Sequence, residues 1–233
     1  PLGMRDTGFL PDAALRVRIA PTERQSDGAC LRGMVHDPTA RRMGGVAGHA
    51  GLFTTAEDLA RFARMMLNDG ELDGHRVLKP ETVRMMTAVQ TPPKLNVRRG
   101  LGWDIESPYS GPRGEVFPIG SYGHSGWTGT SLWIDPFSRT FVIFLSNRNH
   151  PKEDGSVIAL RKKLGTLAAQ NSERFAAGPV VNWVVAILMF TLVAWMGAEV
   201  PKAVRLGNRR IGARKPCRAA RASAATTSSP LHT

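Results

Sequence analysis

From Val180 to Ala198 the chain runs nineteen residues without a charge, and only Asn182 and Thr191 interrupt its apolar character. A helix over that stretch is roughly 28 Å long at ~1.5 Å per residue, against a hydrocarbon core of about 30 Å. No polar face alternates with an apolar one, so the stretch reads as a membrane span rather than as a helix packed on a core. Trp183 and Trp195 stand near its ends, where indoles favour the membrane interface, and Pro179 and Pro201 bracket it. The 233 residues are thereby divided into a candidate folded domain at 1–172, a transmembrane helix at 180–200 and a tail at 201–233. The tail has too few large apolar residues to bury a core of its own and reads as disordered.

Charge sets the orientation. Eight of the 31 Lys and Arg residues follow Val200 and none of the 19 Asp and Glu residues does, so much of the +12 net charge belongs to the tail. The positive-inside rule places that tail in the cytoplasm and residues 1–172 outside; Arg161, Lys162, Lys163 and Arg174 weaken the bias without reversing it. Such a tail suits anionic lipid headgroups. Nucleic acid is not an expected partner, because no aromatic residues interleave with the basic ones. Cys30 and Cys217 show no metal-ligand spacing, and the topology puts them on opposite sides of the membrane, so no disulfide between them is expected.

Within residues 1–172 helical and strand periods both occur. Thr55 is a good N-cap with Asp58 three residues on, a capping-box-like pair, and Leu59, Phe62, Ala63, Met66 and Leu67 recur at helical spacing until Asn68-Asp69-Gly70. Pro80 starts a short helix through Met86. Residues 107–120 read as a loop, while Ser131–Ile134 and Thr140–Ser146 read as antiparallel strands joined by Asp135-Pro136-Phe137-Ser138. The spacing predicts a last helix from Ser156 to Gln170, with Val157, Leu160, Leu164 and Leu167 as the stripe that faces the sheet.

Two segments carry candidate chemistry. In Tyr122-Gly123-His124-Ser125-Gly126-Trp127-Thr128-Gly129-Thr130, the absence of a Cβ at Gly126 lets a ligand's backbone come close. The His124 imidazole beside the Ser125 hydroxyl can orient a proton or meet a carboxylate. A polar hairpin turn accounts for the triplet equally well until its context is considered. That context is Gly44-Gly45-Val46-Ala47-Gly48-His49-Ala50-Gly51-Leu52-Phe53-Thr54-Thr55-Ala56-Glu57-Asp58-Leu59-Ala60, with Pro1-Leu2-Gly3-Met4 and Gly100-Leu101-Gly102-Trp103 on either side.

Together these segments resemble, over roughly residues 1–170, the C-terminal part of the β-lactamase-related serine hydrolases, the family of penicillin-binding proteins and class C β-lactamases. There a Lys-Thr-Gly, His-Ser-Gly or His-Thr-Gly triplet sits on an edge strand. The resemblance implies an α+β fold, the C-terminal part of a β-lactamase/transpeptidase-like fold with an antiparallel sheet flanked by helices, here followed by one transmembrane helix. It implies a short strand at Gly100–Ile105. It also implies that His124, Ser125 and Gly126 wall the cleft, that the Trp127 backbone N–H is an oxyanion-hole donor, and that no cofactor or metal is used. His36-Asp37 with His49 admits a metal-site reading, but a hydrogen-bonded loop is favoured.

The family's nucleophile is the Ser of a Ser-x-x-Lys motif and its base the Tyr of a Tyr-x-Asn motif. No Ser here has Lys three residues on, and neither Tyr109 nor Tyr122 is followed by x-Asn. The expectation is therefore a C-terminal part that is inert alone and belongs to a membrane-anchored serine hydrolase, a peptidase or esterase working through an acyl-enzyme on cell-wall-like peptides or small molecules. The alternative is a non-catalytic membrane protein whose degenerate hydrolase fold binds cell-wall peptide or a partner. With His rather than Lys at 124, a fixed cation for a substrate carboxylate is missing, which ranks peptidase or esterase above β-lactamase.

Overall fold

Residues 1–175 are described by the computed structural model; the expected span and the tail, at 180–200 and 201–233, lie outside the described residues. Among the described residues no helix is long and apolar enough to cross a membrane. Cys30 is not free; Cys217, on which the expectation about a disulfide between the two also depends, lies outside the described residues.

Helix α1 (Pro38–Arg42) is one short turn started by Asp37, whose carboxylate accepts from the Ala40 N–H at 2.7 Å. Helix α2 (Ala56–Leu67) begins where its cap predicts: the Thr55 hydroxyl accepts from Asp58 N–H at 3.2 Å, and Asn68 ends the helix. The reciprocal half of a capping box is absent. Asp58 is buried and its carboxylate turns outward from the helix, accepting from the Asp6 N–H at 2.9 Å and the Thr7 hydroxyl at 2.7 Å. The cap residue thus holds the opening segment of the chain against α2.

A two-residue hairpin, β1 (Glu71–Leu72) with β2 (His75–Arg76), leads to α3 (Pro80–Thr87). The main sheet is an antiparallel meander of β3 (Arg98–Arg99), β4 (Asp104–Glu106), β5 (Tyr122–Ser125), β6 (Ser131–Asp135) and β7 (Thr140–Phe144), neighbours in space in chain order. The strand expected at Gly100–Ile105 is shifted: Gly102 takes a φ of 78° in a turn, and pairing starts at Asp104. The turn between β6 and β7 forms as predicted, with the Asp135 carboxylate accepting from the N–H groups of Phe137 at 3.3 Å and Ser138 at 3.0 Å.

Strand alternation sends side chains to two cores. Tyr122 and Ile134 pack with Trp103, Ile105, Val83 and the α2 residues Ala63, Met65 and Met66. Trp133 and Val142 face the other way, onto Phe117 and onto Ala168 and Ala169 of α4 (Ile158–Phe175). The Tyr122 ring meets Trp103 edge-on at 5.1 Å, and its hydroxyl is pushed above the usual tyrosine range by burial and by the Asp69 charge.

Helix α4 exists as expected but is rotated. Its predicted stripe fails, for Leu160 and Leu167 are exposed, and Arg161, Gly165, Ala168 and Ala169 are buried instead. The physical reason is close approach to the turn at 112–114: a Cβ on Gly165 would lie 2.2 Å from the Pro112 carbonyl oxygen, so only the small face of the helix fits there.

Candidate active-site wall

Strand β5 is interior in the sheet order rather than an edge strand, yet its far end is open on one side. Strand β4 meets β5 only at Asp104–Gly123, so His124 and Ser125 run past it while still paired to Leu132 and Ser131 of β6. His124 shares a face with Tyr122, the face covered by α2. Into the space left by β4 comes Arg99, whose guanidinium lies 2.9 Å from His124 Nε2; His124 Nδ1 lies 3.0 Å from the Ser125 carbonyl oxygen. A guanidinium only donates, so Nε2 accepts and the ring proton sits on Nδ1, where it donates to Ser125.

The loop after β5 is held from behind. Gly126 N–H donates to the Thr130 carbonyl at 2.7 Å, and the buried Arg161 guanidinium donates to the carbonyls of Gly126 at 2.8 Å and Thr130 at 2.6 Å. Burial, with a smaller contribution from Arg148, lowers the Arg161 pKa from the usual arginine range. Both carbonyls therefore point at Arg161. Among the described residues the Trp127 N–H donates to no acceptor. The Trp127 indole is exposed, with the Arg148 guanidinium 4.3 Å over its ring and the Arg148 Nε donating to the Trp127 carbonyl at 2.6 Å. A Cβ on Gly126 would lie 2.3 Å from the Thr130 hydroxyl oxygen, so this glycine is needed by the loop itself and not only for ligand access.

His124, Ser125, Gly126 and Trp127, the four residues singled out in the sequence, are brought together around a cavity of about 300 Å³ that Leu59 of α2 and His49 also line. His49 was read as an ordinary loop residue. It is hydrogen-bonded, Nε2 to Asp37 Oδ1 at 3.0 Å, as the loop reading expects, but the loop is a second wall of this cavity. Asp37 is held below the usual carboxylate range, chiefly by the Ala40 N–H and then by His49. His36 belongs elsewhere, pointing to Glu23 and Glu153 on the margin of a larger cleft of about 1620 Å³ that shares Gly126, Trp127 and His49 with the small cavity.

The chain is similar to known proteins at the level of family and fold. The family model described as "Beta-lactamase" matches residues 1–166. The chain belongs to the β-lactamase family. Within it, the "Putative D-alanyl-D-alanine carboxypeptidase" of Escherichia coli K12 is 36% identical over 167 residues, 64% of this chain and 38% of that protein. Its namesake in Escherichia coli O157:H7 is 40% identical over 121 residues, 51% of this chain and 27% of that protein. The chain thus spans well under half the length of these β-lactamase-family relatives. Among solved structures, a mutant of simvastatin synthase from Aspergillus terreus matches at a TM-score of 0.50 and 21% identity, over 76% of this chain and 48% of that one. That likeness concerns the fold alone, an α+β arrangement of antiparallel sheet and helices.

Two residues of this wall in a β-lactamase-family member were missed by sequence reasoning. Arg99 comes from 25 residues before His124, and Arg161 was counted only as charge flanking the span. Neither carried a local signal, because each acts on atoms far along the chain.

Proposed function

We propose that this domain is the substrate-binding and oxyanion-stabilising wall of a β-lactamase-family serine hydrolase that acts on peptides ending in a D-alanyl-type carboxylate. The observation that supports this most is Arg99 on His124. The triplet here lacks the fixed cation that Lys would bring, but a guanidinium stands at that place, within reach of a carboxylate bound along β5. The unsatisfied Trp127 N–H supplies one donor for the oxyanion that forms when a serine oxygen adds to the scissile carbonyl. The nucleophile and base are contributed by sequence that these 233 residues do not contain, so the chain alone is inert. The names of the Escherichia coli relatives favour the peptide substrate over an ester. Residues 180–200 anchor the enzyme in a membrane with this domain on the outer face, a reading supported by the uncharged run and the basic flank after it.

The test uses an enzyme in which this domain is joined to a Ser-x-x-Lys-bearing N-terminal region. Arg99→Ala raises KM for a D-alanyl-terminated peptide by about tenfold or more and leaves turnover of an ester without a carboxylate nearly unchanged. Equal effects on both substrates, or none on either, sink the proposal. Incubating the 233-residue chain with a fluorescent penicillin yields no covalent adduct; stoichiometric labelling of any serine contradicts the assignment of the nucleophile elsewhere.

A further inference from the structure

The loop of residues 22–36 and the loop of residues 147–155 meet on the margin of the large cleft, away from His124. There Glu23, His36 and Glu153 place three ligand-type atoms within 4.8 Å of one another. His36 Nε2 lies 3.4 Å from Glu23 Oε2 and 4.0 Å from Glu153 Oε2, with the imidazole mostly buried. In each carboxylate the other oxygen is already engaged. Glu23 Oε1 accepts from the Gln25 side chain at 2.9 Å; Glu153 Oε1 accepts from the Trp127 indole N–H and faces Arg148 at 3.6 Å. The Arg41 guanidinium, donating to the His36 carbonyl at 2.9 Å, fixes the backbone that carries the ring. These are the outer contacts that orient metal ligands.

A second observation points to the same spot. Asn149 is wholly buried, its Nδ2 lies 3.2 Å from His36 Nε2, and its Oδ1 has no hydrogen-bond partner among the described residues. The positions of the amide atoms are shared by two orientations, and only with the oxygen at the cluster does a bound ion satisfy that otherwise partnerless oxygen. Exchanging the two ends brings the oxygen to the cluster, where it becomes a fourth donor.

We infer that Glu23, His36, Glu153 and the Asn149 amide oxygen bind one divalent transition-metal ion of the zinc type. The donor set is one imidazole and three oxygens, which suits zinc or its neighbours better than calcium or magnesium. Tetrahedral bonds of about 2.0–2.2 Å separate their ligand atoms by about 3.4 Å, so Glu23 and His36 already stand at the right spacing and Glu153 has to close by roughly half an ångström. The charges are favourable as well, since two carboxylates face a dication while Arg148 keeps to the outer oxygen of Glu153. Such an ion ties the 22–36 loop to the 147–155 loop and, through Glu153, fixes the Trp127 indole beside the cleft. It is a structural site and does not rest on the catalytic reading.

Titration of the chelator-treated 233-residue chain with zinc chloride at pH 7.5, followed by calorimetry and by thermal unfolding, tests the site. One ion per chain binds and raises the unfolding midpoint. Glu23→Gln and Glu153→Gln, which keep size and fold, each weaken binding by about tenfold or more, and His36→Ala weakens it further. His75→Ala, in the exposed β2, leaves affinity unchanged. Absence of saturable binding, or binding that survives both Glu→Gln changes unaltered, overturns the inference.

Discussion

Two walls enclose the small cavity, and they are built on different principles. The wall after β5 is held by a buried arginine on two backbone carbonyls and by a loop too tight for a Cβ at 126. The opposite wall, residues 37–51, is held by an exposed pair, His49 on Asp37, by a one-turn helix and by a small apolar cluster of Val35, Ala40 and Ala47. Burial multiplies the cost of a broken polar contact, because a stranded group inside the protein finds no water to replace its partner. The first wall is therefore fixed in shape before any ligand arrives. The second leans on apolar contacts and an exposed pair, so a single polar substitution there costs less.

The largest expected effect is at Arg161. Removing it by Arg161→Ala takes one donor from each of two carbonyls, which keep only their turn partners, Gly129 N–H on Gly126 at 3.2 Å and Gly126 N–H on Thr130 at 2.7 Å, and leaves a cavity beside Gly126, at a loss of about 3 kcal/mol in urea-unfolding stability. Arg161→Lys keeps the charge but loses the planar fork, and recovers less than half of that. A loss within experimental error of zero for Arg161→Ala erases the contrast between the walls.

Gly126→Val comes next. The sequence-based expectation is a blocked cleft on an intact fold, since β-branched residues suit strand edges. With Thr130 Oγ1 2.3 Å from the new Cβ, overpacking instead destabilises the loop by about 1–3 kcal/mol. Thr130→Ala in the same chain removes the colliding oxygen and restores part of that stability, a coupling that a double-mutant cycle reads directly. Additive effects of the two changes mean that the glycine serves ligand access alone, and the wall is looser than its hydrogen bonds suggest.

The same contrast explains what the sequence discloses. Thr55, the periodic apolar residues of α2 and the Asp135 turn act over three or four residues, so local spacing exposes them. The His124 triplet is legible because its residue types are contiguous. Arg99 and Arg161 act on atoms 25 and 35 residues away and leave no periodic mark. The face of α4 is misread for a related reason. Leucine spacing selects Leu160 and Leu167, but a helix lying against a backbone turn needs its smallest residues inward, and that need is set by Pro112 rather than by α4 itself. Asp58 combines both cases: its position at the helix start is local, while its partners, Asp6 and Thr7, are some fifty residues away.

The smallest effect belongs to the second wall. Asp37 titrates below the usual carboxylate range, so the stabilisation it reports is present above the unfolded-state value of ~3.9 and fades as pH falls through the lower folded value. The Ala40 N–H is the larger cause and His49 the lesser. His49→Ala accordingly leaves most of the Asp37 depression in place, and it moves the thermal midpoint by about 2 °C or less, as suits an exposed pair. Following the Asp37 carboxyl carbon by NMR through an acid titration of both proteins separates the two causes. If Asp37 returns to the unfolded-state value when His49 is removed, the histidine rather than the helix turn holds the carboxylate, and the 37–51 wall is as firmly built as the one it faces.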